Sequence, residues 1–248
     1  MFRKLFFVLF IIFNVLSFDS VYAAGKNEKA LAKTLKKIAP AVTAAGTIDY
    51  KAGCSTCAQI DTPTDKKTSN LYSKDNDQTI ELTTLSEDDA NSAFAEIAAR
   101  KDIPFGFPMD GCYARAHKVV RILEDQGIIA GKAFVEGELY VDTKFGEVGW
   151  GYHVAPVVMV KKGASVIPYV FDPSLFTKPV PQTEWKAKML SKTKSRFARE
   201  YYTNRYSYDP SDRTSNYSDY TDESVEDMEQ TNRNFSRMLY IHNNPKKK

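Results

Sequence analysis

The chain is poor in cysteine, histidine and tryptophan, with three, three and two in 248 residues. So few cysteines cannot form the dense disulfide framework of a small secreted scaffold. A hydrophobic content of 43%, with 12% aromatic residues, is enough to fill an ordinary core instead. Neither sign of charge dominates. Lys and Arg total 34 against 31 Asp and Glu, which gives no basic footprint for a nucleic acid. Beyond the first residues no apolar run is long enough to cross a bilayer. No segment repeats, which argues against a solenoid or propeller.

The amino terminus has a pattern of its own. Arg3 and Lys4 precede Leu5 to Leu16, an apolar run broken only by Asn14. Val21-Tyr22-Ala23 then supplies the −3 and −1 positions of a cleavage site. This is the layout of a secretory signal peptide, cut after Ala23. The alternative is an uncleaved anchor, but the run is short of the roughly 20 residues a span requires. About 225 residues would remain, which suits one medium domain with an extra segment. The expected mature protein is soluble, free of the membrane and monomeric, in the periplasm or the medium.

Periodicity divides the rest. "NEKALAKTLKKIAPAV" places Leu31, Leu35 and Ile38 on one helical stripe that Pro40 ends or bends. Residues 51 to 78 are polar and read as a loop or linker. A helix capped by Ser86 follows, with Glu87, Asp88 and Asp89 in its first turn. Ala90, Phe94, Ile97 and Ala98 are expected to face inward. "DIPFGFPMDG" breaks the pattern, and a helix restarts near Cys112. Its stripe is Ala116, Val119, Val120 and Leu123, and Gly127 is the stop. The period then changes. "GKAFVEGELYV", "GWGYHVAPVVMVKKG" and "SVIPYVFDPSL" read as strands, with Pro168 marking an edge or a bulge. Helices are expected over Thr183–Leu190 and Ser224–Tyr240, and the tyrosine-rich stretch between them as loop with aromatic anchors.

Cys54 and Cys57 form a C-x-x-C, which leaves Cys112 unpaired in a chain built for an oxidising compartment. The C-x-x-C reads as a local disulfide. A redox or zinc role would need a second such pair or a surrounding strand–helix unit, and neither is found. Cys112 follows Asp110-Gly111 and starts a helix, where unpaired backbone N–H groups favour a thiolate. A nucleophilic thiol also needs a base, and the base an orienting partner. His117, five residues further along the same helix, is turned about 140° away and reads as a surface or capping residue. His242 falls in the tail. His153, in "WGYHVAPVV", could pack against the Cys112 helix, and Asp172, in "YVFDPSL", could orient it. Taken as residues alone, His153 could instead be a hydrogen-bonded structural histidine and Asp172 a turn-starting Asp-Pro.

"DGCYARAHKV", "GYHVAPVV" and "DPSLF", in this order and with key residues 41 and 19 apart, resemble the bacterial secreted protein-glutaminases. "PVPQTEW" and "YYTNRYSYDP" resemble them too, so the likeness runs from about residue 85 to about 220. It implies a triad of Cys112, His153 and Asp172. The implied fold is α+β, a helix-borne cysteine packed on an antiparallel sheet, similar to the transglutaminase and papain-like core. The implied reaction is deamidation of glutamine in a protein or peptide, without metal or cofactor. Trp150, Tyr152 and Tyr113 are adjacent candidates for the substrate pocket. The chain departs from the family in having only Cys112 in that region, where relatives use disulfides, and in its shorter amino-terminal segment. The expected organisation is a signal peptide (1–23), a pro-segment or extension (24–75) and a catalytic domain (76–248). A transglutaminase or cysteine peptidase could use the same triad. An exported binding module, with tyrosine loops as contact surface and an inert Cys112, is the non-enzymatic alternative.

Overall fold

The computed structural model of the chain describes residues 67–245. The expected signal peptide, the helix before Pro40 and the Cys54–Cys57 pair lie outside the described residues, as does most of the expected pro-segment.

The elements run in the following order. Strands β1 (Thr68–Ser73) and β2 (Gln78–Ser86) form an antiparallel hairpin. Helix α1 (Glu87–Ala99) starts at Ser86, whose hydroxyl accepts the Asp89 N–H at 3.0 Å. Helix α2 (Cys112–Asp125) comes next, then the long hairpin of β3 (Gly131–Thr143) and β4 (Gly146–Lys162). Strands β5 (Ser165–Val170) and β6 (Val180–Pro181) lead into helix α3 (Gln182–Met189). Strand β7 (Arg196–Thr203), a 3-10 turn (Pro210–Asp212) and helix α4 (Asp222–Asn243) complete the described chain. The strands join in the order β1-β2-β4-β3-β7, with β5 on β4 and β6 on β5. All pairings are antiparallel except that of β2 with β4. The fold is α+β, as expected.

Strand β4 is the axis of the domain. Eight successive residues, His153 to Val160, are buried because both faces of the sheet are covered. Val158 and Val160 pack with Phe94 and Ile97 of α1 and Val119, Val120 and Leu123 of α2. Ala155, Val157 and Met159 pack the other way, with Ile80, Leu82, Trp185 and Met189. Each of the Val, Leu, Ile, Phe and Met side chains contributes roughly 1.5–3 kcal/mol by burial. The hairpin carries a bulge between Glu136 and Leu139, two residues from the Val135–His153 pair. Gly137 holds it at φ +147, where a Cβ would lie 2.0 Å from the Arg196 carbonyl oxygen. A bulge bends its strand and re-aims nearby side chains.

Three expectations change in detail. The polar stretch read as loop to residue 78 contains β1, whose side chains are mostly half-buried or exposed and so lack an apolar signal. Strand β7 runs through residues read as loop for the same reason, its first four residues being exposed. Helix α1 buries Ala93 rather than Ala98, which is exposed on the far side of the turn. Pro168 lies on an edge, one of the two positions expected for it. It pairs with Met159 of β4, while β6 covers only Tyr169 and Val170.

Candidate active site

Gly111 sets the start of α2. It adopts φ +76, and its carbonyl accepts the first helical N–H, that of Arg115, at 3.0 Å. A Cβ there would meet the Phe235 ring of α4 at 2.5 Å, so only glycine fits. Cys112 is therefore the first helical residue, where the backbone N–H groups have no intrahelical partner. At the other end Gly127, at φ +69, lets Ile128 donate back to the Leu123 carbonyl at 2.8 Å.

Cys112 is a free thiol, 7% exposed. It packs with Ala116, Phe134, Val154 and Tyr201, with Tyr113 and Tyr152 at the partly buried margin. His153 reaches the same place from β4, and Asp172 from the turn after β5. The three residues line one cavity of about 10 Å³, together with Arg115, Phe105 and Ser174. That is room for about one water.

The imidazole is fixed from several sides. His153 Nε2 donates to Asp172 Oδ2 at 2.8 Å, with both residues buried. Trp150 stacks on its ring at 4.6 Å and 12°, while the Trp150 indole N–H reaches the carbonyls of Pro108 and Met109. His153 Nδ1 is buried and has no hydrogen-bond partner, which leaves it as the ring nitrogen free for the thiol. Burial by itself would lower the imidazole pKa. The Asp172 charge and hydrogen bond, with Cys112 beside the ring, outweigh it and raise the value to about 9. Asp172 also accepts the Trp185 indole N–H at 2.9 Å and the Ser174 backbone N–H at 3.1 Å. Burial would raise its pKa, but His153, Trp185 and Arg115 hold it below the usual carboxylate range. A neutral thiol beside neutral imidazole and a thiolate beside imidazolium both fit this frame, and the second is the form that attacks carbonyl carbon.

The structure thus brings Cys112, His153 and Asp172 together, with Trp150, Tyr152 and Tyr113 around them. It does not bring His117 there, and it also corrects the surface reading of that residue. His117 is 0% exposed. Its Nδ1 lies 2.6 Å from Lys132 Nζ, its Nε2 meets Ser224 Oγ at 3.3 Å, and Tyr208 and Tyr220 stack edge-on against it. The far face of α2, which a lone helix would leave in water, is covered by α4 and the tyrosine loop. His242 sits on α4 with its ring 4.3 Å from that of Phe145, and not in a loose tail. Two participants were missed. Arg115 looks like a surface residue because arginine is rarely buried, and Trp185 is 13 residues from Asp172 in the chain. No group of His, Cys, Asp and Glu suited to a metal occurs among the described residues.

A helix-borne cysteine, a strand-borne histidine and an aspartate beyond the next strand define the class with a transglutaminase-like core. A glutaminase family model matches residues 90–189. A protein-glutaminase crystal structure aligns at 30% identity, over 61% of this chain and 88% of that one, with TM-score 0.51. The NMR structure of protein-glutaminase from Chryseobacterium proteolyticum aligns at 28% identity, over 64% and 90%, with TM-score 0.53. A mutant pro-protein-glutaminase aligns at 31% identity with TM-score 0.52, over 61% of this chain but only 57% of that longer form. No curated protein matches this chain. The chain belongs to the protein-glutaminase family.

Proposed function

We propose that this protein hydrolyses the side-chain carboxamide of glutamine in proteins or peptides, giving glutamate and ammonia, with Cys112 as nucleophile. The observation that carries the reading is the meeting of Cys112, His153 and Asp172 at one buried point in a chain of this family. Family membership also stands against the reading as an exported binding module with an inert thiol.

His153 takes the proton of Cys112, and Asp172 holds the imidazolium by charge and by its Nε2 hydrogen bond. The thiolate attacks the carboxamide carbon. Unpaired N–H groups in the first turn of α2 stabilise the oxyanion. His153 then protonates the leaving nitrogen, the C–N bond breaks, and ammonia departs from a thioester. Water, deprotonated by His153, attacks the thioester and restores the thiolate. Neither metal nor cofactor enters. The carboxamide approaches past Tyr113 and Tyr152, with Trp150 as the wall that keeps His153 in plane.

Relatives exist as pro-forms. Residues 1–23 serve as an export signal in this reading, and the segment between them and β1 as a removable pro-region, since β1 is paired with β2 and stays with the domain. Among the described residues no helix is long and apolar enough to cross a membrane. The test is ammonia release from a glutamine-bearing peptide by the amino-terminally trimmed protein, with Cys112→Ala as control. Mass spectrometry separates the possible products: a gain of about one dalton, an amine crosslink or a cut chain, since water and amine compete for one thioester. A crosslink or cleavage without ammonia-linked mass gain would overturn the deamidase reading.

A further inference from the structure

Arg115 lies three residues after Cys112, on the same face of α2. It is 3% exposed and lines the cavity shared by Cys112, His153 and Asp172. Its Nη1 donates to the carbonyls of Phe107 at 3.1 Å and Asp110 at 2.5 Å. Its Nη2 is buried without a hydrogen-bond partner. A buried guanidinium that lacks a bidentate carboxylate is an expensive thing to keep. Burial works against its charge, and the groups whose fields favour that charge are Cys112, Asp172, Asp110 and Tyr113. The first two are the proposed nucleophile and orienting acid.

The charges at this point balance only when Arg115 is counted. Thiolate and Asp172 carry two negative charges, and imidazolium carries one positive charge. The guanidinium brings the buried sum to zero. Without it one uncompensated negative charge would remain in a cavity with room for about one water.

We propose that Arg115 is a positioning residue of this site. Through Nη1 it fixes the Phe107–Asp110 turn that presents Cys112 at the head of α2, and through Nη2 it supplies the fixed positive charge that sustains the thiolate beside Asp172. This rests on Cys112 being the nucleophile. It goes beyond the three-residue site by adding a fourth buried charge. A purely structural arginine would need only the two carbonyl bonds.

The test compares Arg115→Gln and Arg115→Lys with wild type in the trimmed protein. Iodoacetamide labelling of the Cys112 peptide is followed by mass spectrometry across pH 5 to 10, alongside kcat and KM for ammonia release. Arg115→Gln keeps donors but no charge. Its labelling midpoint should move up by about one pH unit, and kcat should fall about tenfold or more with KM within about threefold. Arg115→Lys keeps the charge and loses the fork. Its midpoint should stay within a few tenths of wild type even where its melting temperature falls. A wild-type midpoint in folded Arg115→Gln, or an equal upward shift in both variants, would overturn the proposal. If Arg115→Gln does not fold, Arg115→Lys decides: an unmoved midpoint supports the charge role and a raised one overturns it. Labelling needs no glutamine. A wild-type protein that labels fast at neutral pH yet releases no ammonia would sink the deamidase reading and leave this inference standing.

Discussion

Trp185 donates its indole N–H to Asp172 at 2.9 Å, on the same Oδ2 atom that accepts from His153. The indole is fully buried against the sheet, so the carboxylate is held from behind by a group that cannot titrate. Helix α3 thereby acts on the site without touching the thiol.

Trp185→Phe keeps most of the packing and removes that donor. It should cost about 1–3 kcal/mol of stability and reduce kcat about tenfold, with KM little changed. Urea denaturation and steady-state ammonia release measure the two effects. An unchanged kcat in a folded variant would show that His153 and Ser174 suffice to hold Asp172.

The His153 imidazole, with its pKa raised to about 9, stays charged well above neutral pH. Activity should therefore hold on the alkaline side and decline as pH rises through about 9. The accompanying stability is fully present below the unfolded histidine value of about 6.5. It is lost as pH rises from there through about 9. Asp172→Asn removes the charge that raises the imidazole. Its alkaline limb should appear at lower pH by a unit or more, with kcat down by roughly 10²–10⁴. A pH–rate profile of both proteins is the check.

His117 behaves in the opposite way. Burial first, then the neighbouring Lys132 and Arg121, push its pKa down to about 2. The unfolded chain takes up a proton below pH 6.5 that the folded chain refuses. Its contribution is thus intact above 6.5 and declines as pH falls. His117→Gln can still accept from Lys132 but does not titrate. Between pH 7 and 4.5 wild type should lose about 2 kcal/mol more than the variant, as read from urea midpoints. Parallel acid profiles would show that His117 is protonated in the folded protein.

Gly111→Ala strains a left-handed backbone position and drives a methyl group into Phe235. It should destabilise by roughly 1–3 kcal/mol and lower kcat, because the start of α2 shifts with it. Adding Phe235→Leu should return part of the stability but not the backbone strain. Full recovery of both stability and rate would mean that the positive φ is not required.

Helices α1 and α2 and the long β3–β4 hairpin could be read from the sequence because each buries a continuous stripe or a whole strand. Phe94, Ile97, Val119, Val120 and Leu123, or Val154 to Val160, leave a period that hydrophobicity alone reveals. The strands β1 and β7 could not, since they lie at the ends of the sheet order and carry polar and aromatic side chains. His117 was misjudged because a helix viewed alone has an outer face, which α4 and the tyrosine loop here cover through Ser224 and Tyr208. Arg115 was not singled out; it turns to the Cys112 side of the helix and meets the carbonyls of Phe107 and Asp110.

The amino-acid sequence by itself determined which thiol could react. Only Cys112 lies between a glycine and a helix, and it comes 41 residues before a histidine set in a long β-rich run. The sequence offered Asp172 as the partner of His153, but tertiary structure alone decided that Trp185 supports Asp172 on the same oxygen and that Arg115 shares their cavity. Those choices depend on where β4, β5 and α3 meet in space. Local patterning fixes what each segment buries, but charges and hydrogen bonds across segments form only once the segments are packed.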